Sequence, residues 1–206
     1  RLVGLEAHAT AAEGGEGVDG LWRAIVRRIA QAKTAAGSGP MAKGEEKSMP
    51  DDPQREKFDR ARAAATAGRH DEAITLCGEI LDDRPDHRGA MDLLGFAHFF
   101  KKEYATAEQW CRRTLERYPG HAYALKGLGL CLARQDRLDE GLTHLHEAMR
   151  LEPGFFDPYW DTAVVLREAG RHAEGAEILR RGIERCPKQA GRAGPLLAEL
   201  EKKARG

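Results

Sequence analysis

Four prolines, Pro85, Pro119, Pro153 and Pro187, follow one another at a constant interval of 34 residues (119−85, 153−119 and 187−153). A fixed period of that length marks a chain made of copies of one supersecondary unit, each unable to bury its apolar face alone and obliged to stack on the next. The chain is therefore read as an array, not as a globule around one closed core. Arrays of this kind offer long surfaces for binding, and no catalytic role is expected of this one.

Other residue series keep the same period. Ala61, Gly95, Gly129 and Ala163 form one column of small side chains, and Ala73, Ala107, Gly141 and Gly175 form a second. Cys77, Cys111, Leu145 and Leu179 follow one turn after the second column. Small residues at matched positions in two successive helical stretches let the helices close on each other. Each unit thus divides into a helical hairpin around a turn near Gly68, Lys102, Asp136 or Gly170, and the periodic proline ends the second helix because it lacks an N–H and disfavours helix in the residue before it. The expected units are residues 54–87, 88–121, 122–155 and 156–189. A last helix at about 194–205 is expected to cap the array, with Pro195 in its first turn, Leu196, Leu197 and Leu200 on the inner side, and Glu199, Glu201, Lys202 and Lys203 outside.

These residues resemble the tetratricopeptide repeat family, whose unit carries a large residue, then Leu-Gly, then Tyr in its first helix, followed by Ala, Phe and Pro. The second unit matches with Met91, Leu94, Gly95, His98, Ala107, Cys111 and Pro119, and the third with Leu125, Leu128, Gly129, Leu132, Gly141, Leu145 and Pro153. The fourth has Thr162 and Ala163 in place of Leu-Gly; the first is weakest, with Lys57 and Arg60 at apolar places. The resemblance spans about residues 54–187. It implies an all-α, right-handed α-solenoid of four helix-turn-helix repeats, with the first helices lining a concave inner wall.

The family's inward-facing positions fall here on Phe58 and Arg62 in the first unit, and on Asp92, Leu93, Phe96, Phe99 and Phe100 in the second. The third contributes Tyr123, Lys126, Leu130 and Arg134, and the fourth Asp157, Trp160, Asp161, Val164 and Arg167. An aromatic centre with a charged surround suits a peptide or protein partner, since large rigid side chains exclude water at modest entropic cost. Phe96, Phe99 and Trp160 are the first candidates for anchors, and Lys126 and Arg134 for contacts to an acidic ligand. Some family members clamp a chaperone's terminal carboxylate with Lys and Asn; those places hold Phe58, Arg62 and Leu93 here, so that ligand is not expected.

Residues 1–53 lie outside the period and carry Gly14, Gly15, Gly17, Gly37, Gly39, Pro40, Pro50 and Pro53, the punctuation of a flexible linker. Within them Leu21, Trp22, Ile25, Val26 and Ile29 share one face of an expected helix at about 19–36, and Arg23, Arg27, Arg28 and Lys33 cover the other. This basic amphipathic segment either docks on the repeats, stays a marginal helix by itself, or anchors the chain to a partner or, as its one route there, to a membrane surface.

Lys+Arg 33 against Asp+Glu 33 gives zero net charge, so no global field draws the chain to nucleic acid. The four cysteines show no C-x-x-C spacing, and His144 and His146 point to different helix faces, so neither a metal nor another cofactor is expected. No signal-peptide pattern opens the sequence, and free thiols suit the cytoplasm. The function read from these features is a non-catalytic adaptor or scaffold binding a segment of another protein in the groove. The alternative is a regulatory or substrate-holding subunit of a larger enzyme, secretion or envelope-assembly complex.

Overall fold

The structure, a computed structural model, describes residues 53–206. The expected amphipathic helix at about 19–36 lies outside the described residues. Nine α-helices follow one another among the described residues, with no strand: α1 (Pro53–Thr66), α2 (His70–Asp83), α3 (Arg88–Phe100), α4 (Tyr104–Arg117), α5 (Ala122–Ala133), α6 (Leu138–Leu151), α7 (Phe156–Glu168), α8 (His172–Arg185) and α9 (Ala190–Arg205). A 3-10 turn, Pro187–Gln189, precedes α9.

Each second helix stops two residues before its proline. The residues between, Arg84, Tyr118, Glu152 and Cys186, sit at φ between −135° and −128° and ψ between 69° and 83°, outside the helical region from which the following ring excludes them. The hairpin turns are equally regular. Gly68, Lys102, Asp136 and Gly170, again 34 apart, adopt φ of 80°, 63°, 60° and 73°, the left-handed conformation that closes a helix C-terminus. Two of the four are not glycine, so the array holds this conformation even where the side chain disfavours it.

The small columns are the places where the hairpins touch. A Cβ on Gly129 would lie 2.7 Å from the Gly141 carbonyl oxygen, and one on Gly141 would lie 2.5 Å from that of Gly129, so α5 and α6 meet backbone to backbone. One turn on, Cys77, Cys111, Leu145 and Leu179 are all buried. Burial pushes the Cys77 thiol up to about 12 and leaves it an inert packing group.

First helices lie side by side, α1 against α3, α3 against α5 and α5 against α7, while neighbouring second helices touch far less. That asymmetry curves the array, with the first helices on its inner wall. The last helix begins at Ala190, one turn earlier than expected, and Pro195 falls inside it instead of in its first turn. The register explains the difference: Ala193, Leu196 and Leu200 stand 34 residues after Tyr159, Thr162 and Leu166, and all six are buried. Thus α9 takes the place of a fifth first helix, and packing over α8 outweighs the one backbone bond Pro195 forfeits. No helix among the described residues is long and apolar enough to cross a membrane.

Candidate functional site

The inner wall divides into an aromatic region on the first two units and an ionic region beyond it. On α3, Phe96 and Phe100 stand one turn apart with ring centroids 4.6 Å apart. His70, the first residue of α2, stacks on Phe100 at 5.6 Å and meets Phe96 edge-on at 6.3 Å. Leu93, one turn before Phe96, packs against Ala64, Ala65 and Ala73 of the first hairpin. Phe96, Phe100 and Leu93 are each half-buried, which keeps apolar area at the surface of the wall. Phe58 of α1 lies against the start of α3, 5.0 Å from the His87 ring, where Gly89 leaves room for it. Arg62 is partly exposed and pairs with Asp59 at 2.6 Å.

Phe99, by contrast, is buried edge-on to Tyr104 and does not belong to the surface. Leu130, Lys126, Trp160 and Val164 are buried as well, which corrects the expectation that they line an open groove. The reason lies in the neighbours. α1 buries one stripe, Ala61, Ala64 and Ala65, whereas α5 and α7 are enclosed on nearly every side. Trp160 lies under the Arg192 guanidinium of α9, 4.6 Å from its ring.

The ionic region runs from unit to unit. His121 Nε2 and Asp92 Oδ2 are 2.7 Å apart, joining the start of α5 to α3. Lys126 Nζ lies 3.8 Å from Asp161 and 4.0 Å from Asp157, both on α7, with the Tyr123 ring at 4.6 Å and the Phe155 ring at 5.4 Å. Arg192 reaches Asp157 at 3.8 Å. Arg134 pairs with Glu168 at 3.1 Å, and Arg167 with Glu199 at 3.4 Å. Burial pushes the Asp161 carboxyl up to about 7 against the pull of Lys126, and burial draws Lys126 below its ordinary value. Tyr123, half-buried in the same row, is held above the usual phenol range by burial and then by Asp92. Lys126 and Arg134 are therefore occupied by the chain's own carboxylates, which removes the basis for reading them as contacts to an acidic ligand.

His70, His121 and Arg192 belong to this wall and were not foreseen. One signal was present: Lys126 is the only charged residue in α5, and a lone charge in so apolar a helix must find a buried partner. Nothing in the sequence distinguishes His70. Among the described residues, no group of three or more His, Cys, Asp or Glu side chains is placed to hold a metal.

The tetratricopeptide repeat model matches residues 58–122, 112–154 and 132–190, well over half of the chain. The chain belongs to the tetratricopeptide repeat family. Its fold is that of a protein-interaction module. A thermophilic tetratricopeptide repeat protein of Thermus thermophilus has a similar structure, with a TM-score of 0.63 at 19% identity over 71% of this chain and 80% of that one. MamA of Desulfovibrio magneticus RS-1 gives a TM-score of 0.55 at 21% identity, covering 79% of this chain and 93% of that one. In sequence, ALBINO3-like protein 3, mitochondrial, of Arabidopsis thaliana is 30% identical over 143 residues, covering 59% of this chain. The chain spans about a quarter of the length of that curated relative.

Proposed function

We propose that the chain is a non-catalytic adaptor that receives a segment of another protein on its inner wall, centred on Phe96 and Phe100. The observation that carries this reading is the half-buried aromatic cluster of Phe96, Phe100 and His70 on the concave side. Aromatic anchors held in place by their neighbours supply most of the energy in protein contacts, because they are already ordered before binding. Leu93, Phe58 and Arg62 extend the surface toward α1, and the half-buried Tyr123 extends it toward α5.

Partner capture from the source cell tests this, with the wild-type chain compared against Phe96→Ala. The expected result is loss of specific proteins and, in a titration with a captured segment, an affinity weaker by about 1–3 kcal/mol at unchanged helix content. Equal affinity for both chains would overturn the reading. A second reading, in which the array serves a larger enzyme or assembly complex, is supported by one observation. The chain covers only 27% of a structurally similar O-GlcNAc transferase from Thermobaculum terrenum, just as it covers a quarter of the curated relative.

A further inference from the structure

The inner wall is buried more deeply than the described helices explain. One inward column runs through successive first helices at the 34-residue interval: Arg62, Phe96, Leu130 and Val164. Arg62 is partly exposed and Phe96 half-buried, whereas Leu130 and Val164 are only 2% and 1% exposed. Among the described residues, α5 packs against α3, α4, α6 and α7, and α7 against α5, α6 and α8, with Arg192 of α9 over the Trp160 ring. The first helices of that set lie on the flanks and the second helices on the outer side. An inward side chain in a row of helices 8–10 Å apart keeps its tip in water unless something lies across the row.

The wall itself says what kind of cover it takes. Its cation Arg134 is paired with the chain's own Glu168, and Lys126 lies between Asp157 and Asp161, so the cover has to bring apolar side chains to Leu130 and Val164. Residues 19–36, outside the described residues, carry that pattern in sequence, with Leu21, Trp22, Ile25, Val26 and Ile29 on one face and basic side chains on the other. Their length agrees as well. As a helix they would span about 27 Å at 1.5 Å per residue, and the row from α1 to α7 is three spacings, roughly 24–30 Å, wide.

The tether is short enough to deliver them. Residues 37–52 join the segment to Pro53 at the start of α1, the edge of the wall. As a flexible coil they reach roughly 20–24 Å, comparable to the ~21 Å length of α1. A segment held at that distance has an effective concentration in the millimolar range, so a weak contact suffices to keep it seated.

We propose that residues 19–36 lie as an amphipathic helix across the inner side of α3, α5 and α7, with their apolar face on Phe96, Leu130 and Val164 and their basic face in water. The segment then competes with a partner for the aromatic cluster. That competition rests on the adaptor reading above; the docking itself does not.

The test uses the full chain carrying Leu130→Cys, reacted with N-ethylmaleimide, with peptide mapping to separate this site from the natural cysteines. The new thiol is expected to be protected, and Leu21→Asp, Ile25→Asp and Ile29→Asp together are expected to speed its labelling at least tenfold at unchanged helix content. Val164→Cys repeats the measurement should Leu130→Cys fail to fold. Equal labelling rates with and without the three aspartates overturn the proposal, because the repeats would then bury the column themselves. A protection that fades on dilution also overturns it, since the cover would come from a second copy. Partner capture run in parallel keeps the two ideas apart: the chain with three aspartates is expected to capture more of the proteins that Phe96→Ala loses. Faster labelling without any such capture would leave the docking standing and remove the adaptor reading.

Discussion

At the scale of single residues, the four hairpin turns form a natural experiment on backbone strain. They share a left-handed conformation, but the occupant is Gly, Lys, Asp and Gly in succession. A Cβ added at Gly170 meets nothing within 4 Å, so Gly170→Ala isolates the conformational cost, expected at about 1 kcal/mol of lost stability. Asp136→Gly relieves the same strain at a modest entropic cost to the unfolded chain and is expected to gain about 0.5 kcal/mol. Urea denaturation of both variants checks the pair; a stabilised Gly170→Ala would show that the turn does not require its positive φ. The places of these turns were legible in the sequence because the period carried them through units that lack the glycine. The lone charge in α5 hinted that Lys126 is buried, but its partners were not legible, nor was the burial of Trp160, because Asp157 and Asp161 beside Lys126 and Arg192 over Trp160 come from later first helices and leave no trace in a residue's own column.

Helices and hairpins set a sharper demand than turns do. The closest approach in the array is between α5 and α6, where Gly129 and Gly141 put backbone against backbone, while Ala61 and Ala73 fill the same columns between α1 and α2 without difficulty. Gly141→Ala raises helix propensity by ~1 kcal/mol, yet it must push the facing backbones apart and is expected to destabilise by about 1–3 kcal/mol net. Gly78, inside α2, is the control: a Cβ there meets nothing within 4 Å, and Gly78→Ala is expected to stabilise by up to about 1 kcal/mol. Thermal melts followed by circular dichroism separate the two, and equal shifts would rule out the close approach as the reason for glycine. The hairpins were legible for the same reason that they are sensitive, since small residues had to recur at a fixed interval. The start of α9 lies one turn before the place that Pro195 alone suggests, because stacking on α8 decides where that helix begins.

Across the whole molecule, Lys126, Asp157, Asp161 and Arg192 join α5, α7 and α9 in one buried charge cluster, so one protonation event is felt by the third unit, the fourth and the cap together. Asp161 titrates in the folded chain at about 7, above its ordinary 3.8. Between those values the folded chain holds a proton that the unfolded chain has released. The stability from this group is therefore fully present below about 4 and is lost as the pH rises through about 7. Lys126 acts in the opposite sense, its contribution growing as the pH rises toward its ordinary 10.5. Asp161→Asn removes the acidic-side slope whatever its effect at one pH. The stability of the wild-type chain relative to this variant is expected to fall steadily from pH 5 to pH 8, by an amount on the order of one to a few kcal/mol. Urea unfolding of both chains at several pH values in that window measures the difference directly. A difference that stays constant would mean that Asp161 is ionised throughout, held as a carboxylate by Lys126 and Arg192, and that the cluster is a permanent ionic clamp between units instead of a proton-sensitive joint.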